Sequence, residues 1–446
     1  MMHFRDWIWR IACAALLAAG AHAPLTSAQE AAAALKFERP EAMGFSQAGL
    51  QELNAALKDI VERRHLAGMI TLLARHGRVV DYKAVGYQDL ERKSPLRKDA
   101  IVNIYSMTKP ITGVAMMMLY EEGKWRPEDP IAKHIPEFKD LKVLAGADSD
   151  GKPIYEAPKH APTMGELMSH SAGFTYGFLG STPVDKLYQA DNPLAAPSLQ
   201  AFIDKLAKLP LAYQPGEKWV YSLSVDIQGY LVQKLSGRSL PDFFRERIFA
   251  PLKMRDTDFF VPKNKLSRVA AIYSWNRDKN ALAPAQRDLP VAELPGLPQG
   301  GMGLYSTAAD YFRFAQMMLN GGELDGVRLL KPSSVATMRV NHLSETALNS
   351  QSGVGFATVV PGQGISAAQG FGYDFAVVND PGAINAPVGK GTFWWYGAAG
   401  TWFWIDPAND IVFVGIIQRR GGVPGAASHG DLSRALVYKA LVDASK

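Results

Sequence analysis

Cysteine is nearly absent from the sequence. The single cysteine, Cys13, lies within the first 28 residues, and Arg10 stands three positions before it, where a lipoprotein signal would carry an apolar residue. No lipid anchor is therefore expected. If residues 1–28 are removed, the rest of the chain has no thiol, which excludes disulfides and cysteine catalysis and suits an oxidising compartment.

Long apolar runs are missing as well. Two arginines precede an apolar stretch from Ile11 to about Ala21, and small residues follow it as far as Ala28. The stretch is shorter than a membrane span, which needs about 20 residues, and the whole pattern is typical of a secretory signal peptide. We predict a signal peptide over residues 1–28, no membrane span, and a periplasmic or secreted location for residues 29–446.

Two kinds of binding motif are also lacking. The formal net charge is only +5, and no run of Lys and Arg is interleaved with aromatic residues, so the sequence predicts no nucleic-acid surface. The nine His are scattered and no H-E-x-x-H sequence occurs, which argues against a metallohydrolase.

The segment Ser106-Met107-Thr108-Lys109 carries the strongest chemical signal that is present. The residues after Pro110 favour a helix that ends at Gly123, so Ser106 and Lys109 would share one face of its first turn. A serine hydroxyl attacks a carbonyl only when a neighbouring base takes its proton, and a lysine kept neutral by burial can be that base. Because so short a pattern also occurs by chance, the wider sequence must support it.

Hydrophobic periodicity indicates the surrounding elements. Ser46 is expected to cap a helix, and β-prone runs at 69–74 and 78–85 predict a hairpin before Ser106. A second hairpin or small insertion is expected within 140–162. Further helices are predicted over 163–169, 199–206, 224–235, 241–249, 307–319, 332–340 and 431–442. Further strands are predicted over 371–378, 392–396, 401–405 and 411–417.

This order of elements predicts an α+β fold. Strands from both ends of the chain would form one antiparallel sheet, helices would cover its faces, and an all-helical part would lie between.

Three further stretches could complete a site around Ser106. Tyr221 precedes a predicted helix, and its phenol could shuttle protons. The small residues 397–400 lie between two predicted strands, where backbone N–H groups could hold an oxyanion. The third stretch, which contains His170 and Ser171, leads from a helix into a loop; we expect His170 to bond to backbone and Ser171 to be a turn residue.

Together these motifs resemble the serine β-lactamase and penicillin-binding-protein superfamily, and within it the class C β-lactamase-like esterases called family VIII carboxylesterases. The resemblance spans nearly all of residues 29–446. It rests on Ser106-Met-Thr-Lys109, His170-Ser-Ala-Gly173, Tyr221-Ser-Leu-Ser224 with Asp226 behind it, Gly300-Gly-Met-Gly-Leu304 and Trp395-Tyr-Gly397. It implies a β-lactamase/transpeptidase-like fold and one hydrolase domain over residues 29–446.

The resemblance also implies roles for single residues. Ser106 would attack an ester or amide carbonyl, Lys109 and Tyr221 would share the proton transfers, and water would hydrolyse the acyl-enzyme without a metal or cofactor. The backbone N–H groups of Ser106 and Ala398 would hold the oxyanion. Substrate contacts are expected among Trp395, Tyr396, Gly397, Tyr176, Leu223 and Gln299, with structural roles the alternative for Tyr176 and Gln299.

Two departures from the superfamily pattern favour ester substrates. β-Lactamases and peptidases of the superfamily usually carry Lys or His where this chain has Trp395, and that cation meets the substrate carboxylate. An indole has no charge, and Leu223 stands where the β-lactamases have an Asn side chain. The sequence therefore predicts a secreted carboxylesterase that acts on a small-molecule ester, with β-lactamase activity weak if present.

Other interpretations stay open. A β-lactamase or a D-alanyl-D-alanine carboxypeptidase is the nearest alternative, and a non-catalytic member that binds cell-wall peptides would suit the missing cation and amide. A Ser-His-Asp hydrolase would need a G-x-S-x-G turn, and Ser171 lacks the first glycine. An aromatic group could line an apolar acyl pocket, or its alternate members could fill the sheet core: Phe393, Trp394, Trp395, Tyr396, Trp402, Phe403 and Trp404.

Overall fold

The structure is a computed structural model that describes residues 35–150, 152–287, 291–350, 365–426 and 428–445. The predicted signal peptide, residues 1–28, lies outside these ranges. Within them, no helix is both long enough and apolar enough to cross a bilayer.

The α-helices are α1 Gln47–Glu62, α2 Thr108–Glu121, α3 Ile131–His134, α4 Met164–Met168, α5 Pro183–Ala190, α6 Leu199–Leu206, α7 Ser224–Ser236, α8 Leu240–Phe244, α9 Ala308–Leu319, α10 Pro332–Met338, α11 Glu345–Asn349 and α12 His429–Ala440. Short 3₁₀ helices lie at Pro40–Met43, Tyr105–Met107, Pro136–Phe138, Pro193–Ala195 and Lys263–Arg268, and a π-helical turn at Arg245–Phe249 continues α8.

The strands are β1 Gly68–Arg75, β2 Arg78–Asp89, β3 Ser94–Pro95, β4 Val102–Asn103, β5 Val143–Ala147, β6 Pro153–Glu156, β7 Tyr273–Asn276, β8 Ala281–Pro284, β9 Tyr305–Ser306, β10 Glu323–Leu324, β11 Val327–Arg328, β12 Gln369–Phe371, β13 Ala376–Val378, β14 Phe393–Tyr396, β15 Trp402–Asp406, β16 Ile411–Ile416 and β17 Arg419–Arg420.

One eight-stranded sheet joins the two ends of the described chain. Its order is β12-β13-β14-β15-β16-β1-β2-β3, and neighbouring strands are antiparallel. The strand β1 pairs with β16 from Ile70 opposite Ile416 to Arg75 opposite Ile411. The predicted α+β fold, with strands from both ends of the chain in one sheet, is therefore confirmed.

Alternate side chains of β15 face opposite sides of this sheet, as strand geometry requires. Trp402 Nε1 donates to Ser433 Oγ of α12 at 3.1 Å, whereas the ring of Phe403 lies 5.0 Å from that of Tyr311 in α9. Helices α1 and α12 thus cover one face, and α9 covers the other. Most of the aromatic group fills this core, with exposures of 4% or less: Phe393, Trp394, Trp395, Trp402, Phe403 and Trp404.

Helix α2 is buried on nearly every side and packs against α7. Each residue from Thr108 to Leu119 is buried, so its polar side chains must find partners inside the protein. At Gly113, a Cβ atom would lie only 2.6 Å from Asp374 Oδ2. Glycine is therefore required where the segment that carries Asp374 meets α2.

The run predicted as one strand over 371–378 is two short strands, β12 and β13, that form a hairpin. Gly372 lies so close to the neighbouring chain that a Cβ atom would be 2.0 Å from Met338 O. Asp374 adopts φ +60°, which ends an extended strand. The alternating apolar residues on either side gave no sign of this turn.

Arg75, the last residue of β1, ties both ends of the described chain to the sheet. Its side chain is buried, and its guanidinium donates to Met43 O at 2.9 Å and Asn409 O at 2.9 Å. It also donates to Asp443 O at 3.0 Å and Ala444 O at 2.7 Å. Four carbonyls from three segments thus share one cation.

We expect Arg75→Leu to lower the free energy of unfolding by about 3 kcal/mol, because buried carbonyls lose their donor. Urea unfolding followed by tryptophan fluorescence measures the change. Arg78→Ala, at an exposed position of β2, is the control and should cost less than about 0.5 kcal/mol. Equal unfolding midpoints for the two variants would contradict the role given to Arg75.

Candidate active site

Ser106 lies in the 3₁₀ turn Tyr105–Met107, which leads directly into α2. Tyr105 adopts φ +44°, a conformation that is unusual for a bulky side chain, and its N–H donates to Asn103 Oδ1 at 2.8 Å. The Ser106 side chain is 7% exposed. A tight and supported turn therefore presents the serine at the start of the buried helix.

Lys109 lies one turn further along and is fully buried. Its Nζ donates to Ser106 Oγ at 3.2 Å, to Tyr176 OH at 2.9 Å and to Gly301 O at 2.8 Å. Three contacts match the three N–H groups of an ammonium. If one proton leaves, the free lone pair can take the proton of the serine hydroxyl.

Burial controls the charge of this lysine. It lowers the pKa of Lys109 from 10.5 to about 7, because an ammonium group loses its hydration there. The negative charges of Asp226 and Asp374 act in the opposite direction but are the smaller effects. A large fraction of the lysine is therefore neutral near pH 7 and can act as a base.

Tyr221 lies on the other side of the serine. Its phenol is hydrogen-bonded to Ser106 and accepts a bond from Trp395 Nε1 at 3.3 Å, and Lys109 Nζ lies 4.6 Å from its ring centroid. Burial raises the pKa of Tyr221 well above 10, although these hydrogen bonds oppose the rise. The phenol therefore carries its proton and can donate it.

The turn after β14 contains Ala398 and approaches the segment before Ser106. Gly397 N donates to Thr401 O at 2.7 Å and Gly400 N donates to Gly397 O at 2.8 Å, so neither bond uses the N–H of Ala398. A Cβ atom at Gly397 would lie 2.4 Å from Ile104 O, which shows how closely the turn approaches the segment before Ser106. The oxyanion donors at residues 106 and 398 stay a prediction.

The structure separates the predicted substrate contacts. Trp395 and Leu223 are fully buried, and the substrate contacts predicted for them stay predictions. Tyr396 is half-buried, and Ala398 is exposed at the turn. Tyr176 is 3% exposed and contacts Lys109.

Two other sequence expectations concern residues near the site. Gln299 is 8% exposed, and its backbone carbonyl accepts a bond from Gly303 N at 2.9 Å. The hydroxyl of Ser171 lies 3.0 Å from Ser169 Oγ, and its carbonyl accepts a bond from Gly216 N at 2.8 Å. These contacts describe structural partners for both residues.

Asp226 supports Lys109 through the backbone of Gly301, a contact that the sequence motifs did not reveal. Its Oδ1 accepts a bond from Gly301 N at 2.9 Å, and the carbonyl of Gly301 accepts the bond from Lys109 Nζ. A Cβ atom at Gly301 would lie 2.6 Å from Asp226 Oδ2, so only glycine fits here. Burial raises the pKa of Asp226, which Lys109 opposes.

Asp374 is a second buried carboxyl group that sequence reasoning missed. It is 1% exposed, and its Oδ1 accepts a bond from Gln228 Nε2 at 3.2 Å. Its charge acts on Lys109 from the side of the helix that holds Gly113. A lone acidic residue within the apolar run 371–378 was the available signal.

Comparisons with known proteins show the family and the fold. The family model described as Beta-lactamase matches residues 53–437. Protein Rv1367c of Mycobacterium tuberculosis is 33% identical over 368 residues, which cover 82% of this chain and 88% of that protein. Esterase EstB of Burkholderia gladioli is 28% identical over 386 residues, which cover 83% of this chain and 90% of the esterase.

A solved structure has the same fold. EstCE1, described as a hydrolase with promiscuous acyltransferase activity, superposes with a TM-score of 0.71 at 24% identity. The match covers 88% of this chain and 99% of EstCE1. The large antiparallel sheet and the helices on its faces are thus common to both proteins.

The effect of the Asp226 charge on Lys109 can be tested through the pH dependence of Ser106 acylation by an active ester. In the wild-type protein the rate should rise with pH and level off above about 7, because only the neutral form of Lys109 takes a proton. Asp226→Asn removes a negative charge that favours the ammonium form. The rise should therefore move to lower pH, by about one unit.

Asp140→Asn is the control, because Asp140 is exposed, and it should leave the profile in place. An unchanged profile in Asp226→Asn would contradict the electrostatic coupling between Asp226 and Lys109.

Proposed function

Because the chain belongs to the Beta-lactamase family, we propose that it is a serine esterase that cleaves small carboxylic esters through an acyl-enzyme on Ser106. The observation that carries the proposal is the 3.2 Å contact between Lys109 Nζ and Ser106 Oγ inside a buried site. The phenol of Tyr221, hydrogen-bonded to the same serine, supplies a second proton-transfer group. The proposed reaction needs no cofactor.

In the acylation step, neutral Lys109 accepts the proton of Ser106 as Oγ bonds to the ester carbonyl carbon. The negative charge that develops on the carbonyl oxygen is held by the backbone N–H groups of Ser106 and Ala398. When the tetrahedral intermediate breaks its C–O bond, Tyr221 donates its proton to the leaving alkoxide. The ammonium of Lys109 then returns a proton to the phenol, so an alcohol leaves and an acyl-serine remains.

In the deacylation step, water replaces Ser106 as the nucleophile, and Ser106 replaces the alcohol as the leaving group. Neutral Lys109 takes a proton from the water as its oxygen bonds to the acyl carbon. The same backbone donors hold the second oxyanion. The C–O bond to Ser106 then breaks as Tyr221 donates its proton to the serine oxygen. The ammonium of Lys109 returns a proton to Tyr221, and a carboxylic acid leaves.

The preference for esters over β-lactams is supported by the strand next to the site. Its indole at position 395 is uncharged, fully buried and bound to the phenol of Tyr221. A substrate carboxylate would find no cation at this position, whereas a neutral ester needs none. The relative EstB is described as an esterase, which supports the same proposal.

The proposal is tested with p-nitrophenyl butyrate and nitrocefin, each supplied to wild-type protein and to Ser106→Ala. We expect butyrate ester turnover to exceed nitrocefin turnover, and Ser106→Ala to lower ester turnover at least about 10³-fold because the nucleophile is lost. Intact-mass spectrometry should show an acyl adduct on the wild-type protein only. Ser334→Ala, a buried serine in α10, is the matched control and should keep full activity.

Each alternative function has its own outcome in this test. Nitrocefin or a D-alanyl-D-alanine peptide cleaved faster than every ester would indicate a β-lactamase or carboxypeptidase. A folded protein with neither turnover nor adduct would indicate a binding protein.

We also propose export through the signal peptide over residues 1–28. Expression of the whole chain in a bacterium that secretes proteins should yield a product whose intact mass begins at Gln29. A product that retains residues 1–28 and stays inside the cell would contradict export.

A further inference from the structure

His170 lies behind Tyr221 and takes no part in the proton transfers described above. It follows α4, its side chain is 1% exposed, and its backbone φ is +57°. This backbone conformation is disfavoured for a side chain of its size, so the surrounding contacts must stabilise it. Such a residue calls for an explanation.

The contacts of His170 reach both neighbours of Tyr221 along the chain. Its carbonyl accepts a bond from Val220 N at 3.0 Å, and its ring Nδ1 accepts a bond from Ser222 N at 3.3 Å. The hydroxyl of Ser222 also lies 3.0 Å from Nδ1. The imidazole ring packs 5.1 Å from the Tyr221 ring, centroid to centroid.

The Tyr221 segment needs such support. Residues 218–222 form neither helix nor strand, so regular backbone bonding does not fix the direction of the phenol. The two hydrogen bonds to His170 instead hold the peptide groups before and after the tyrosine. A proton-transfer group that is displaced by about 1 Å can lose about 10²-fold in rate.

The same contacts fix the state of the imidazole. The bond from Ser222 N to Nδ1 fits the neutral ring with its proton on Nε2, which has no hydrogen-bond partner among the described residues. Burial and the charge of Lys109 lower the pKa of His170 well below 6.5, so the ring stays neutral. A charged ring would have a proton on Nδ1 and would lose the bond from Ser222 N.

We propose that His170 is a positioning residue that orients the Tyr221 phenol towards Ser106 by accepting hydrogen bonds from the peptide groups of Val220 and Ser222. The inference rests on the proposed function, in which that phenol transfers a proton. His170 itself touches neither the serine nor the substrate in this scheme.

Three substitutions at residue 170 separate the acceptor from the backbone conformation. His170→Asn places Oδ1 near the position of Nδ1 and tolerates positive φ, so it should keep kcat/KM for p-nitrophenyl butyrate within about 3-fold. His170→Gln moves the acceptor further out, and His170→Gly removes it while relaxing φ. Both should lower kcat about 10-fold or more with little change in KM, because orientation rather than binding is lost.

A double-mutant cycle with Tyr221→Phe distinguishes positioning from general damage. If His170 acts through the phenol, the loss in His170→Gln should disappear when the hydroxyl is already absent. Equal losses in the presence and absence of the hydroxyl would overturn the proposal, as would full activity in His170→Gly. Wild-type rates in Tyr221→Phe alone would instead refute the function proposed for Tyr221.

Ser222→Ala extends the test if a His170 variant does not fold. It removes the hydroxyl contact with Nδ1 but keeps the backbone N–H, so it should cost about 3-fold in kcat. That cost should also vanish in the Tyr221→Phe background, and its persistence there would overturn the proposal.

Discussion

The amine of Lys109 must stay buried beside Ser106, and the rest of the site depends on this constraint. An ammonium group loses its water in such a place, which would be prohibitive without partners. Hydrogen bonds to Ser106, Tyr176 and Gly301 replace part of that hydration. The rings of Tyr176 and Tyr221 lie 5.3 and 4.6 Å from Nζ, close enough for cation–π attraction. As a result, the pKa of Lys109 lies near neutrality while its side chain stays buried.

Glycine makes this arrangement possible at two points where separate parts of the chain meet. Gly301 lets its backbone N–H and carbonyl contact Asp226 and Lys109, and Gly397 lets the Ala398 turn approach the chain before Ser106. A side chain at either position would overlap atoms less than 3 Å away. This close packing makes the site rigid. The hydrogen-bond donors are therefore preorganised and need not move into place.

The sequence predicted what local spacing can encode. The three-residue separation of Ser106 and Lys109, the cap at Ser46 and the hairpin of β1 with β2 are all properties of one element or of neighbouring elements. The contacts of Lys109 with Tyr176 and Gly301 join residues far apart in the chain, and no periodic pattern records them. The aromatic run around Trp395 also shows no alternation of apolar and polar residues, because both faces of that strand are buried.

Trp395 links the proposed ester preference to the proton-transfer groups. Its indole donates to the Tyr221 phenol, whereas a lysine at the same position would place a second ammonium near the first. Like charges would lower the pKa of Lys109 further, and the cation would lower the pKa of the phenol as well. A change at this one position that created an anion-binding site would thus alter both proton-transfer groups. Burial keeps the phenol protonated against the smaller effect of the indole N–H, and the proposed preference for uncharged esters involves the same side chain.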